Sequence, residues 1–437
     1  MPTAAVATTP STAAALAELA PSKDQRLAQT PWHRAVVPVS LFVGLALHST
    51  TNTTAILPPS LAIWLEIGVA LVVGGALNTL LALLVWRKHT MAALVCGAVN
   101  LCVPYVMPLK YGIAGSALAL TNFIGAWKAL DVLAGTVSAA VLNGDFFGFV
   151  MHFASPVEYQ IDRHDDAPTR ARVARPLLWR TQLAQTAQDY AGLALTASVR
   201  SVLAAQALGA TSPAGVLAAL CNAGVLYAEV WTIYLFLRIF TGTFAALLAV
   251  GGFEAAPMWD APLTRSTSIA DVRTQPSTTL LVHDAGCAHP SRVRNPCAAQ
   301  FWSRRWNLLI HGLFKRTVFK PLTARGVAPS TAAALAFAIS GAFHEYAFAL
   351  QQPALRASLG RCLAFFLLQP PVVSAEKALR THLGVPRLFR DSTMLCTIAW
   401  TLLLVPPAPL FLHPLKTSGV FEQIYQLVPR VVDLSRV

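Results

Sequence analysis

The sequence predicts an all-α, polytopic integral membrane protein, and three observations carry that reading. Of 437 residues, 55% are hydrophobic and only 12% charged, whereas soluble domains carry roughly 25% charged residues. Mean hydropathy is +0.54. Apolar stretches long enough for a bilayer helix, about 20 residues each, recur along the chain, so that about seven to nine spans are expected in one membrane-embedded domain over residues 32–437.

The elements follow in order. Residues 1–31 are rich in Ala, Thr and Ser without the basic flank and compact apolar core of a secretory signal, and they read as a disordered tail. Leu61–Trp86 is long enough to span with tilt and ends in Arg87, Lys88 and His89, a basic flank of the kind held on the cytoplasmic side. Met91–Leu109 follows closely and completes a hairpin. Further spans are expected at Ala191–Ala210, Leu217–Leu237, Phe240–Phe253, Ala332–Leu350 and Met394–Leu412. Val36–Leu47 and Cys362–Val373 are shorter, as partial spans or surface helices are. His152–Arg180, with three Asp, one Glu and five Arg, reads as a solvated loop between membrane blocks. No internal repeat of the kind common in transporters is visible.

A net charge of +13 in such a chain marks cytoplasm-facing loops and anionic headgroups, and no basic stripe with interleaved aromatics suggests nucleic acid. The seven cysteines include no C-x-x-C pair, and Cys287, His289 and Cys297 make a poor zinc site, so no metal is expected. Ionisable groups within the apolar spans are Glu66, Lys128, Asp131, Arg200, Glu229, Arg238, His344 and Glu345. Each must face a partner, the protein interior or the headgroups, because a charge at mid-bilayer costs about 2.5–3.5 kcal/mol. Lys128 and Asp131 are spaced to pair on one helix face, while Glu66 and Arg238 lie near span ends, where snorkelling accounts for them.

Two segments carry chemistry. Phe301-Trp302-Ser303-Arg304-Arg305-Trp306-Asn307 and the residues up to Arg316 place Trp302, Trp306, Leu309, Ile310 and Leu313 on one helical arc and Arg304, Asn307, His311 and Lys315 on another. That pattern predicts an interfacial helix with aromatics at headgroup depth and cations toward water. Arg304 and Arg305 suit the phosphates of coenzyme A, with Trp302 and Trp306 beside them, and the Asn307 carboxamide is placed to orient a thioester. The second segment is Ser340-Gly341-Ala342-Phe343-His344-Glu345, inside an apolar run. A neutral imidazole is the side chain best matched to take a proton from an alcohol, with Ser340 one turn earlier and Glu345 adjacent as supporting groups.

Phe-Trp-x-Arg-Arg-Trp-Asn followed by Ser-Gly-x-x-His-Glu in a hydrophobic helix resembles the wax synthase branch of the membrane-bound O-acyltransferase superfamily. Pro257–Asp271, with Pro257, Trp259, Pro262 and Ser268, resembles the lead-in to the first motif. Phe365-Phe366 through Glu376, and Pro386–Phe389, resemble the C-terminal region. The likeness covers about Leu217–Leu415. It implies a multi-pass endoplasmic-reticulum enzyme, its helices around an internal acyl tunnel, that moves a fatty acyl group from acyl-CoA to a long-chain alcohol and forms a wax ester without a cofactor. By position, His344 matches the superfamily's catalytic histidine and Asn307 its second polar site residue. Diacylglycerol, a sterol or a terpenoid alcohol stands as an alternative acceptor. A proton-coupled carrier with His344, Glu345 and Glu229 as relay groups is the alternative of another class.

One departure interrupts the likeness. Relatives run from the lead-in almost directly into Phe-Trp, whereas Val272–Gln300 inserts 29 polar, Pro-rich residues here. The tract begins Val-Arg and ends Ala-Ala-Gln, which codons can spell as a splice donor and acceptor. It reads either as a retained intron in the gene model or as a flexible insert.

Overall fold

Long apolar runs broken by short polar joints fold as helices through nearly all of the described chain. The computed structural model describes residues 58–137, 146–159, 161–164, 167–171, 174, 177–209, 215–259, 301–349, 358–382 and 408–429. The tail 1–31, Val36–Leu47, Val272–Gln300, Pro386–Phe389 and most of Met394–Leu412 lie outside the described residues. The described residues gather into two compact units. One runs up to Ala256 and adds Phe343–Leu359 and the residues from Pro414 onward; the other comprises Pro257–Ala342 and Gly360–His413.

The first unit opens with α1 (Pro59–Trp86), α2 (Thr90–Val106) and α3 (Gly112–Leu133). Among the described residues three helices are long and apolar enough to cross a membrane: α1, α3 and α6 (Val216–Val250). The sequence reading passes over α3 as a span because Lys128, Asp131 and many small residues lower its hydropathy, yet most of its side chains are buried. Polar side chains join these helices. Asn78 Nδ2 donates to the Thr121 carbonyl (3.0 Å), and Asn122 Nδ2 donates to the Asn100 carbonyl (2.7 Å). Gly125 leaves room for this seam, since a Cβ there would fall 2.0 Å from Asn78 Oδ1. Glu66 does more than snorkel: its carboxylate accepts the backbone N–H of Lys110 (2.9 Å) and Tyr111 (2.7 Å). Those groups stand at the start of α3, where N–H groups lack helical partners and a negative charge is favoured.

Lys128 has no exposed surface, and its ammonium donates to the carbonyls of His152 (2.6 Å), Ser155 (2.8 Å) and Val157 (2.8 Å). These oxygens lie at and beyond the end of α4 (Phe146–Ala154), where helical carbonyls run out of N–H donors. A cation is the partner such a terminus favours. Consequently the first part of His152–Arg180, expected as a solvated loop, is interior: His152, Ser155, Val157 and Tyr159 are all buried. Farther on, β1 (Ile161–His164) pairs antiparallel with β2 (Ala167–Ala171). This hairpin is the exception to an all-helical chain among the described residues.

α5 (Leu178–Gly209) and α6 pack side by side as an antiparallel pair, with Arg238 meeting Asp189 (3.1 Å) at one level and Arg200 meeting Glu229 (3.6 Å) at another. Lys416 completes the second pair at 2.8 Å from Glu229. Leu217–Leu237 and Phe240–Phe253, expected as separate spans, are one helix of 35 residues. Arg238 does not interrupt it, because Asp189 and the Tyr234 hydroxyl receive the guanidinium.

Replacing the buried ammonium by a thioether of similar length isolates its contribution. Lys128→Met leaves three carbonyls short of a donor, at a cost on the order of 3 kcal/mol. The purified variant in detergent is expected to melt about 5 °C or more below the parent; an unchanged melting point contradicts the assignment.

Candidate active site

In the second unit the Phe-Trp-x-Arg-Arg-Trp-Asn motif is not the continuous interfacial helix that its periodicity predicts. Phe301–Arg305 is a π-helical turn, and α7 (Leu308–Phe314) begins afresh after it. The break is Asn307, in the left-handed region at φ 45° and ψ 62°. Asparagine tolerates this conformation better than most residues because its short amide bonds locally. Here Asn307 Oδ1 accepts the Ile310 N–H at 3.2 Å, capping α7. The atom facing that donor must be the oxygen, so both Nδ2 hydrogens remain, and among the described residues they have no acceptor. The left-handed step turns the chain, and the apolar arc of α7 goes inward with Leu309, Ile310, Leu313 and Phe314 buried.

Aromatic packing fixes the turn before Asn307. Trp306 stacks on Phe301 (5.3 Å) and meets the edge of Trp259 (5.1 Å). The Leu308 N–H donates to the Met258 carbonyl (2.9 Å). Residues immediately before and after 260–300 are therefore joined directly. Trp302 is enclosed by Phe337, Phe365 and Phe366 at ring separations of 5.8, 6.3 and 5.8 Å. Its indole N–H donates to Gln369 Oε1 at 3.2 Å. Both tryptophans expected at acyl-CoA thus make packing contacts within the protein. Arg304 and Arg305 belong to the π-turn, with side chains outside the described set. Burial, and secondarily the positive charge of Lys315, push the His311 pKa below its ordinary value, which makes it a neutral member of the arc expected to carry cations.

After a second π-turn (Lys315–Phe319) and the short α8 (Lys320–Ala324), α9 (Pro329–His344) carries the second motif. Gly341 explains the Ser-Gly step. A Cβ there would lie 2.8 Å from Leu363 Cα, so α9 and α10 (Arg361–His382) approach within backbone contact at this point. Ser340 is buried beside it. Phe337, Gly341 and His344 fall within an arc of about 60° on the α9 helical wheel.

His344 is the last residue of α9, and a third π-turn, Glu345–Ala349, begins directly after it. π-Turns inserted in helices occur frequently at functional sites because they shift the phase of the side chains that follow. In the first unit, Phe343 stacks on Phe123 (4.2 Å) and the Tyr346 hydroxyl donates to the Leu101 carbonyl (2.9 Å). These contacts seat the junction against α2 and α3 and leave His344 half-buried, with its ring against Phe343 (5.0 Å) and Phe348 (5.8 Å). Glu345 is buried. An imidazole at a helix end between aromatic rings, and a carboxamide with its oxygen committed and its N–H groups available, are groups suited to proton transfer and to oxyanion stabilisation respectively.

Sequence reasoning passes over Gln369 among the residues that hold the site together. Its signal is a lone amide in an apolar helix, immediately before Pro370-Pro371.

Two comparisons with known proteins find a match, and the family match falls on this segment. Residues 295–368 match the model of the Membrane bound O-acyl transferase family, a span that includes both Asn307 and His344. The chain is also similar to the probable long-chain-alcohol O-fatty-acyltransferase 3 of Arabidopsis thaliana, at 30% identity over 150 residues, which is 32% of this chain and 43% of the relative. The chain therefore matches less than half the length of that curated relative. The resemblance read from the two motifs is found independently by both comparisons.

The Gly341 contact yields a direct test. Gly341→Ala forces a methyl group against backbone and is expected to cost about 1–3 kcal/mol, lowering the melting point of the purified protein, while Ala342→Ser, at the exposed neighbouring position, leaves it unchanged. Equal melting points for parent and Gly341→Ala contradict the close helix approach.

Proposed function

We propose that this protein is an acyl-CoA-dependent long-chain-alcohol O-fatty-acyltransferase of the endoplasmic-reticulum membrane, forming wax esters. Acyl-CoA enters from the cytosolic face with its phosphates on Arg304 and Arg305, and its chain lies in a tunnel among the helices. The alcohol arrives through the lipid. His344 takes the hydroxyl proton as the alcohol oxygen attacks the thioester carbonyl, and an Asn307 Nδ2–H donates to the oxygen on which negative charge develops. Collapse of the tetrahedral intermediate re-forms the carbonyl and breaks the carbon–sulfur bond. The imidazolium returns its proton to the coenzyme A thiolate, so no covalent acyl-enzyme forms. Trp302 and Trp306 serve acyl-CoA by holding the π-turn that carries the arginines, and Ser340 and Glu345 support the helix end that carries His344.

The observation that carries this reading is the state of the Asn307 amide. With its oxygen turned to the Ile310 N–H, it presents its two Nδ2 hydrogens, the groups an oxyanion requires. The match over residues 295–368 contains this residue together with His344.

Two substitutions test the chemistry. Asn307→Asp keeps a capping oxygen and tolerates the left-handed backbone, but replaces the donors by negative charge. It is expected to fold normally and to lose about 10²-fold or more of kcat. His344→Ala is expected to lose about 10²- to 10⁴-fold while inserting and accumulating. Microsomes from yeast expressing each form, given labelled acyl-CoA and a panel of long-chain alcohols, diacylglycerol and sterols, provide the readout. Full activity of either variant refutes its assigned role, and no ester with any acceptor from the parent protein refutes acyl transfer.

A further inference from the structure

Gln369 has no exposed surface and lies one turn after Phe365 and Phe366, both buried, in the same helix. A carboxamide buried in such surroundings is costly unless both of its ends are bonded. Nε2 donates to the Phe365 carbonyl one turn back (3.1 Å), and Oε1 accepts the Trp302 indole N–H (3.2 Å). The two residues that follow are Pro370 and Pro371, within the same helix. Proline supplies no N–H, so two consecutive rungs of the α10 hydrogen-bond ladder are missing directly after Gln369. The carbonyls of Phe366 and Leu367 lose the N–H donors a regular helix would supply, which weakens the helix at this point. Gln369 stands just before this weak point and is bonded to its own helix one turn back and to the π-turn Phe301–Arg305.

We propose that Gln369 is a positioning residue for acyl-CoA: by fixing the Trp302 indole it sets the register of the π-turn and hence where Arg304 and Arg305 stand. The inference rests on the acyltransferase reading above. Gln369 touches neither substrate, and its effect falls on acyl-CoA binding rather than on the chemical step.

The test uses the full-length protein in detergent or vesicles, with palmitoyl-CoA and hexadecanol varied separately. Gln369→Leu raises KM for palmitoyl-CoA roughly tenfold, as loss of one hydrogen bond implies, and changes kcat and KM for hexadecanol less than about twofold. Trp302→Phe keeps the ring, loses only the donor and gives the same KM shift; combined with Gln369→Leu it adds nothing further. Gln369→Glu, protonated in this apolar site, presents a carbonyl and a hydroxyl in place of the amide and restores the parental KM. Equal KM values for the parent and Trp302→Phe, or additive shifts in the double variant, overturn the role of Gln369, and Trp302→Phe decides the matter even if Gln369→Leu fails to fold. Ester formation by the parent with unchanged KM in the variants removes only this inference. A parent that makes no ester from any alcohol removes the acyltransferase reading and this inference with it.

Discussion

Inside a bilayer there is no water to receive a carbonyl, an amide or a charge that the protein leaves unpaired, and the irregular parts of this chain are organised by that constraint. The Lys128 ammonium is the strongest instance: it gathers three carbonyls at the end of α4, so that a polar segment folds into the interior of the first unit. Glu66 performs the opposite service at the start of α3, receiving two backbone N–H groups. Arg200 on α5 and Lys416 farther along the chain follow the same logic in pairing with Glu229 of α6. In the second unit the Gln369 amide does likewise beside two prolines.

The same constraint gives the candidate site its character. A helix that leaves α-geometry in an apolar setting must still satisfy its backbone, through a side chain as at Asn307 or through π-type backbone bonds as after His344. Asn307 ends one helical segment and caps the next with its own oxygen. His344 ends α9 where the chain widens into the π-turn Glu345–Ala349. Neighbouring residues pin each irregularity: Trp259, Phe301 and Trp306 around Asn307, Phe123, Phe343 and Tyr346 around the helix end at His344. Regular helix would satisfy the backbone but consume the freedom to present an amide donor or an imidazole at a chosen angle.

How much of this was legible in the sequence follows from which forces act locally. The long apolar runs declared α1 and α2 because hydropathy is a local property. The paired motifs singled out Asn307 and His344 as candidates because their residue types and order are distinctive. α3 escaped notice because its polar residues are satisfied by partners far along the chain, as Lys128 is by carbonyls 24 to 29 positions away. Arg238 suggested a break between spans only because its partner Asp189 lies on another helix. A 100° periodicity cannot register a single left-handed residue, so the arcs drawn through Trp302 to Leu313 assumed a continuity that Asn307 removes. Gln369 carried no pattern of its own; its meaning comes from Trp302, 67 positions earlier.

Centrally, we propose that the Asn307 amide donates to the reacting carbonyl and that His344 takes the alcohol proton. The most direct measurement is an electron cryo-microscopy structure of the full chain bound to a non-hydrolysable thioether analogue of palmitoyl-CoA that keeps an oxygen at the carbonyl position. The account predicts that oxygen at about 3 Å from Asn307 Nδ2, with the His344 imidazole on the open side of the same carbon. A ligand whose carbon–sulfur junction lies away from both side chains, or an Asn307 amide turned so that its oxygen faces the ligand, would contradict it.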